Sequence, residues 1–209
     1  GYFDVVAACE NAHLLYLQNP GEYARSGEWR ALIPDFSRGR GSWLRVFATD
    51  IDGDGREELT AANKGTADVV RLDAGDVDHG ATSLIRVLGD PLMSANWQET
   101  VLFQEGVPNT AWPVDIDGDG DADVIAAKRV RQEVVVIENQ GVSDQGELLT
   151  QLWPVRIIPA FDGPAGWRAL TNAFQADTAD INNDGRLDVL LNVLESVSYT
   201  HLTLPTSSV

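Results

Sequence analysis

Acidic side chains recur at a fixed spacing in three nine-residue segments of the sequence. The segments start at Asp50, Asp115 and Asp180, so each begins 65 residues after the one before. Positions 1, 3, 5 and 9 carry a side-chain oxygen in every segment, and position 7 offers a backbone carbonyl. The candidate metal ligands are Asp50, Asp52, Asp54, Arg56 and Glu58 in the first segment, Asp115, Asp117, Asp119, Asp121 and Asp123 in the second, and Asp180, Asn182, Asp184, Arg186 and Asp188 in the third.

The chemistry of these donors favours a hard divalent cation. Ca²⁺ takes about 6–8 oxygen ligands at about 2.3–2.6 Å, and a loop that curls around the ion supplies them from alternating residues. Soft metals fit poorly because the segments contain no Cys or His, and Mg²⁺ fits less well because it prefers octahedral geometry with retained water. Glycine at position 6 and Gly or Asn at position 4 predict a sharp turn through the left-handed region of backbone space. We therefore expect up to three bound Ca²⁺ ions.

Two other interpretations of the acidic segments are weaker. Asp-Gly pairs also form ordinary hairpin turns, but a turn does not explain an acid at position 9 in every copy. An EF-hand needs Glu at position 12 and flanking helices, whereas Ala61, Ala126 and Leu191 occupy that position here. Carboxylates crowded into nine residues also repel one another. Three Ca²⁺ ions would relieve that repulsion by adding six positive charges to a formal charge of −17.

Short β-branched and aromatic runs bounded by Gly, Asn and Pro predict that the rest of each repeat is strand. Consecutive apolar residues, as in Val134–Ile137, indicate burial on both faces of the sheet, and no helix is predicted. The connections Asp90–Thr110 and Pro159–Ala173 are expected to be variable loops. The predicted strands are Phe3–Cys9, Leu14–Gln18 and Glu28–Ile33 in a headless first copy, Trp43–Thr49, Glu58–Asn63, Asp68–Leu72 and Ser83–Leu88 in the next repeat, and Ala111–Ile116, Asp123–Lys128, Glu133–Glu138 and Leu149–Ile158 in the one after it.

Four antiparallel strands with two apolar faces describe one blade of an all-β propeller, which must stack between neighbours. Propellers close with about 4–8 blades, so about three blades indicate part of a larger ring. The predicted units are a truncated blade over 1–35, blades over 43–89 and 111–158, and a truncated blade over 174–195. Residues 196–209 resemble translated adapter sequence and are predicted to be a non-native or disordered tail. The alternatives are a complete three-repeat β-structure and a genuine Ser/Thr-rich linker.

The motif Asp-Ile-Asp-Gly-Asp-Gly, followed by an acid at position 9 and an apolar strand, resembles the FG-GAP/VCBS-type repeat of integrin-like β-propellers. The stretch from Leu14 to Gly21, with Trp29 and Ile33 beyond it, is similar to bacterial members of that group. The resemblance covers about residues 1–195. It implies Ca²⁺ held through positions 1, 3, 5, 7 and 9. It also implies an extracellular, cell-surface or periplasmic location.

The charge and the apolar content argue against two kinds of partner, nucleic acid and the membrane interior. The charge of −17 argues against nucleic acid as the main partner because a polyanion would be repelled, and no apolar run approaches the length of a membrane span. The favoured function is a calcium-binding module for a protein or glycan ligand; the alternative is a fragment of a polysaccharide lyase or sugar dehydratase. No residue is assigned a catalytic role. Trp97 and Trp167 lie in the long connections and are candidate ligand contacts, whereas the other tryptophans are expected to pack between blades.

Overall fold

A computed structural model describes residues 1–10, 12–65, 80–104, 107–129, 133–158, 173–194 and 199–203. Within these ranges the regular structure is β-strand, apart from four short 3₁₀ turns. No helix among the described residues is long and apolar enough to cross a membrane. The strands are β1 (Val5–Ala8), β2 (Leu14–Gln18), β3 (Arg30–Leu32), β4 (Trp43–Thr49), β5 (Glu58–Asn63), β6 (Ala81–Val87), β7 (Trp97–Phe103), β8 (Val107–Pro108), β9 (Trp112–Val114), β10 (Asp123–Arg129), β11 (Glu133–Ile137), β12 (Val155–Ile158), β13 (Ala173–Ala179), β14 (Asp188–Leu194) and β15 (Tyr199–Thr203).

The strands form four consecutive antiparallel sheets, which we name blades A to D. Blade A is β1-β2-β3, and blade B is β4-β5-β6-β7. In blade C, β10 pairs with β11 on one side and with both β8 and β9 on the other, while β11 pairs with β12. Blade D is β13-β14-β15. The fold is therefore all-β and forms part of a β-propeller, as the sequence predicted.

The apolar core lies between successive blades. One cluster joins blades A and B, a second joins B and C, and a third joins C and D. Strand β10 shows how one strand serves two interfaces, because Val124 and Ala126 pack toward blade B while Ile125 packs toward blade D. Alternate side chains of a strand point to opposite faces, so a blade in the middle of the stack must be apolar at consecutive positions. This confirms the two-sided burial predicted for Val134–Ile137, whose four residues are at most 8% exposed.

Several predicted strands have the predicted bounds, but the order of strands in blade B differs. Strands β2, β4 and β5 match the predicted ranges. Strand β6 was expected to be the fourth strand, but it pairs directly with β5 and is the third. Strand β7 is the fourth, so the prediction of a loop throughout Asp90–Thr110 was wrong. The predicted strand Asp68–Leu72 lies outside the described residues.

The other differences concern blades C and D. The strand expected over Leu149–Ile158 is limited to β12, because Thr150–Leu152 forms a 3₁₀ turn. Residues 159–172, which make up nearly all of the second long connection, lie outside the described residues. Five residues of the predicted tail form β15, whose backbone pairs with β14 from Leu190 to Leu194.

Candidate metal centre

Each acidic segment is a loop that joins two paired antiparallel strands of one blade. The first loop (Asp50–Glu58) links β4 to β5, the second loop (Asp115–Asp123) links β9 to β10, and the third loop (Asp180–Asp188) links β13 to β14. Position 9 of each loop is also the first residue of the following strand. The sheet therefore fixes the end of each loop, and the turn residues fix its curvature.

The three loops share one pattern of hydrogen bonds. The position-1 carboxylate accepts the N–H of the position-6 glycine at 2.9–3.0 Å. The side-chain oxygen at position 3 accepts the N–H of position 5, and the position-5 carboxylate accepts the N–H of position 7. These bonds turn the backbone inward so that alternate side chains converge. The same local geometry thus arises independently in each copy.

Positive backbone angles confirm the predicted turn. The position-6 glycines have φ between 84° and 100°. Position 4 has φ of 74° at Gly53, 83° at Gly118 and 57° at Asn183. Asn183 is the non-glycine residue with positive φ among the described residues, and Asn tolerates this region better than most side chains.

Replacing Gly118 tests the backbone requirement. A Cβ added there would meet no atom within 4 Å, so Gly118→Ala carries only the cost of the left-handed conformation. We expect it to lower the free energy of unfolding of the ion-free chain by about 1–2 kcal/mol, measured by urea denaturation. Asn183→Gly at the same position of the third loop is the matched control, and it should be neutral or slightly stabilising. Equal destabilisation by both changes would contradict this explanation.

Carboxylates from positions 1, 3 and 9 meet in two loops. In the first loop one oxygen each of Asp50, Asp52 and Glu58 lies within 4.8 Å of the others. Asp115, Asp117 and Asp123 form the same group in the second loop. In the third loop position 3 is Asn182, which contributes an amide oxygen in place of a carboxylate.

The position-9 acid is buried and holds each loop in place through a hydrogen bond. Glu58, Asp123 and Asp188 are at most 6% exposed. In each case one carboxylate oxygen accepts the N–H of the position-2 isoleucine at 3.0–3.1 Å. This bond closes the loop onto its own strand. Position 9, which distinguishes these loops from plain Asp-Gly turns, is therefore the most buried acid of each loop.

The remaining predicted ligands lie outside the two carboxylate groups. The position-5 side chains Asp54 and Asp119 are exposed and accept the N–H of position 7. Arg56 and Arg186 are exposed, so position 7 can contribute only a backbone carbonyl in the first and third loops. In the second loop, Asp121 is half-buried, and its Oδ1 is buried without a hydrogen-bond partner among the described residues.

Burial and mutual repulsion make these carboxylates unusually basic. Burial, opposed by hydrogen bonds from Asn139 and Ile116, raises the pKa of Asp123 to about 6. Burial and the nearby Asp119 charge raise the pKa of Asp121 to about 6. Burial also raises the pKa of Glu58. These groups hold their negative charge at a cost that a bound cation would remove.

The donor set fits Ca²⁺. Every side-chain donor of the three loops is a hard oxygen. Among the described residues, no Lys or Arg forms an ion pair with the buried Glu58 or Asp123. Buried charges in proteins are normally paired or bound to a metal, and a cation shared by positions 1, 3 and 9 would supply that partner.

Asn139 is a residue of the site that the sequence did not reveal. It is 1% exposed and follows β11. Its backbone N–H donates to Asp123 Oδ1 at 2.7 Å, and its Nδ2 donates to the carbonyls of Ala122 and Ile51 at 3.2 and 3.0 Å. It therefore contacts both the second loop and, across the blade interface, the first loop.

Blade A repeats half of this arrangement. The N–H of Asn19 donates to Asp4 Oδ1 at 2.7 Å, and its Nδ2 donates to the Phe3 carbonyl at 2.8 Å. Both asparagines also accept the N–H of a glycine two residues further on. Asp4 is thus the counterpart of Asp123, and an Asn-x-Gly turn after the next strand is the sequence signal that could have identified Asn139.

Trp97, which was predicted to be a candidate ligand contact, lies beside a cleft of about 400 Å³ between blades A and B. Trp97 lines this cleft but is 6% exposed, packs edge-on against Tyr16 with ring centroids 5.6 Å apart, and donates its Nε1–H to the Pro91 carbonyl. It is a packing residue of the A–B interface, whereas Trp167 lies outside the described residues. Burial and a hydrogen bond to Asp4 raise the pKa of Tyr16.

The second and third loops lie next to each other. They line a cleft of about 430 Å³ whose walls include Asp115, Asp117 and Arg186. The acidic loops of neighbouring blades C and D therefore face the same space, which places their acidic residues on one rim.

The match to a known family covers the second and third loops. Residues 115–191 match the family model described as FG-GAP-like repeat. No curated protein and no solved structure matches the chain. The matched segment contains the second and third loops, strands β10 to β13 between them and the first residues of β14. This segment of the chain is therefore similar to the FG-GAP-like repeat.

Proposed function

We propose that this chain is a calcium-binding repeat module of a secreted or surface-exposed β-propeller. The observation that carries the proposal is the convergence of positions 1, 3 and 9 in the first and second loops. These groups combine buried negative charge with hard oxygen donors and have no basic partner among the described residues. A divalent cation is the simplest species that satisfies all three conditions.

Positions 1, 3 and 9 would hold the ion through side-chain oxygens, with position 5 and the position-7 carbonyl completing the set. The ion would supply positive charge that neutralises the loop and holds the two strands it joins in register. Since apolar clusters join each blade to its neighbours, ordering a loop would also stabilise the interfaces beside it.

The three loops should differ in affinity because ligand charge sets the strength of calcium binding. The second loop carries five carboxylates and no basic residue. The first loop includes Arg56, and the third loop includes Arg186 and has Asn182 in place of an acid. We expect the second loop to bind most tightly and the third most weakly.

A location outside the cell and a protein or glycan ligand complete the proposal. The family resemblance supports the location, and extracellular calcium modules typically bind with dissociation constants of about 10⁻⁴–10⁻³ M. The cleft between the second and third loops supports a binding role, since a ligand there would contact a rim whose shape depends on the ions. Its lining of Asp115, Asp117 and Arg186 favours a polar ligand with hydroxyl groups.

Two matched substitutions at position 3 test the assignment of ligands. Asp117→Ala removes a charged ligand from the second loop, whereas Asn182→Ala removes a neutral one from the third. We expect Asp117→Ala to weaken its site at least about tenfold, because ligand charge count tunes calcium affinity over several orders of magnitude. Asn182→Ala should weaken its site by about a few-fold. Calorimetric titration of the ion-free variants with Ca²⁺ measures both effects.

Gln145→Ala is a suitable control, because Gln145 is an exposed residue in a turn of blade C remote in sequence from all three loops. It should leave the titration unchanged. The reverse order of effects, with Asn182→Ala the more damaging, would contradict the assignment.

A further inference from the structure

Two acidic loops in different blades are joined by a short path of hydrogen bonds. The path starts at Glu58, whose Oε2 accepts the N–H of Ile51 at 3.0 Å. The carbonyl of Ile51 accepts a hydrogen bond from Asn139 Nδ2 at 3.0 Å. The backbone N–H of Asn139 donates to Asp123 Oδ1 at 2.7 Å. One isoleucine and one asparagine thus connect the position-9 acids of the first and second loops.

Every group on this path is buried. Glu58, Ile51, Asn139 and Asp123 are 6%, 1%, 1% and 1% exposed. Ile51 also packs in the apolar cluster between blades B and C, together with Val124 and Ile137. Water therefore does not compete for these hydrogen bonds, and a shift at one end has few ways to relax before it reaches the other.

Blade B lacks an asparagine of its own at the equivalent place. Leu59 pairs with Ile85 in blade B as Val124 pairs with Ile137 in blade C, which aligns Val87 with Asn139. Valine has no side-chain donor, so the side-chain amide that supports the first loop comes from the next blade.

We propose that Asn139 is a positioning residue that couples the cation sites of the first and second loops, so that an ion in either loop raises the affinity of the other. This inference rests on the proposed calcium binding. An ion in the second loop fixes the carboxylate of Asp123. That carboxylate accepts the backbone N–H of Asn139, so Asn139 is fixed as well. The Asn139 amide then holds the carbonyl of Ile51, and the N–H of the same residue orients Glu58 for the first ion. The ordering of the shared path is required only once, so the second ion binds at a smaller entropic cost.

Site-resolved calcium titration of the full chain tests the coupling. The amide signals of Gly55 and Gly120 in NMR spectra report the two loops separately, because each N–H donates to the position-1 carboxylate of its own loop. Weakening the second loop by Asp117→Asn, so that it stays empty while the first loop fills, should raise the dissociation constant of the first loop about fivefold or more. Weakening the first loop by Asp52→Asn, so that it stays empty while the second loop fills, should weaken the second by the same factor, since binding couplings are reciprocal.

The role of Asn139 is tested by Asn139→Leu, which keeps a branched side chain and removes Nδ2. In this variant Asp117→Asn should no longer change the affinity of the first loop. Asn19→Leu is the matched control, because Asn19 makes the same bonds within blade A and, among the described residues, has no bond to another loop. It should leave the coupling intact.

A second measurement keeps the inference testable if Asn139→Leu does not fold. In the Asp52→Asn chain, Ca²⁺ bound to the second loop alone should slow hydrogen exchange at the Ile51 amide. Independent affinities, or unchanged exchange at Ile51, would overturn the coupling. Coupling that persists in Asn139→Leu would overturn the role of Asn139. If neither glycine amide responds to millimolar Ca²⁺, the proposed calcium binding itself fails.

Discussion

Adding Ca²⁺ to the ion-free chain should raise its melting temperature by several degrees. An ion that binds only the folded chain stabilises it by about 2.7 kcal/mol when its free concentration is a hundred times the dissociation constant. For a chain of this size, each kcal/mol corresponds to about 2–4 °C. One filled loop should therefore add about 5–10 °C, and further loops should add more. Thermal unfolding followed by circular dichroism in 10 mM Ca²⁺ and in chelator measures the difference.

Two comparisons separate specific binding from a general effect of charge screening. Mg²⁺ at the same concentration should give a much smaller rise, because it needs a tighter octahedral site. A chain carrying Asp52→Ala and Asp117→Ala should lose most of the response to Ca²⁺ while keeping the fold. A melting temperature that is the same in Ca²⁺ and in chelator would count against calcium binding by the acidic loops.

The ion-free chain should become less stable as the pH rises from about 4 to about 6.5. The pKa of Asp123 is raised from 3.8 to about 6 by folding, so the folded chain binds more protons than the unfolded chain in this range. Stability then falls with increasing pH. The stabilisation is complete below the unfolded pKa and is lost as the pH passes the folded value. The shift of Asp123 alone corresponds to about 3 kcal/mol, and Asp121 and Glu58 act in the same direction.

Bound Ca²⁺ should oppose this trend, because the ion binds the ionised carboxylates. The gap in melting temperature with and without Ca²⁺ should therefore widen between pH 4.5 and pH 7.5. Urea denaturation of the ion-free chain across this range measures the first effect. Asp123→Asn, which removes the titrating group, should flatten the profile. An ion-free chain whose stability rises with pH over the same range would refute the assignment of these pKa shifts.

The acidic loops were predictable from the sequence because each local requirement points to the same structure. The spacing of acids, the glycines at position 6 and the tolerant residues at position 4 depend on a few neighbouring residues, and the loop geometry confirms them. The strands that flank the first loop were predicted with the bounds found here, since β4 and β5 begin and end at turn residues.

Strand β7 was missed because it is only partly buried. Its seven residues include two exposed ones, Gln98 and Val101, and its pattern of burial is mixed. The apolar alternation that marks a strand facing the core is therefore weak. Strand β6 was placed fourth because a strand was also predicted over Asp68–Leu72. The equal spacing of the repeats fixes where each blade begins, but it does not fix where its outer strands lie.

Contacts between blades could not be predicted from the repeat pattern. Asn139 bonds to Ile51, 88 residues earlier in the sequence, and no local pattern encodes that distance. Trp97 was misassigned for a related reason: a tryptophan in a predicted loop suggests exposure, whereas the neighbouring blade covers it. Such residues become identifiable only when the order of blades and their facing strands are known.

The most direct test of calcium binding is a crystal structure of the chain grown with Ca²⁺, with data collected at a wavelength where calcium scatters anomalously. We predict an anomalous peak inside the first and second loops, within about 2.3–2.6 Å of oxygens from positions 1, 3 and 9, and a weaker peak in the third. Loops that hold their present backbone but show no peak at millimolar Ca²⁺, with their carboxylates turned toward solvent, would contradict the proposal.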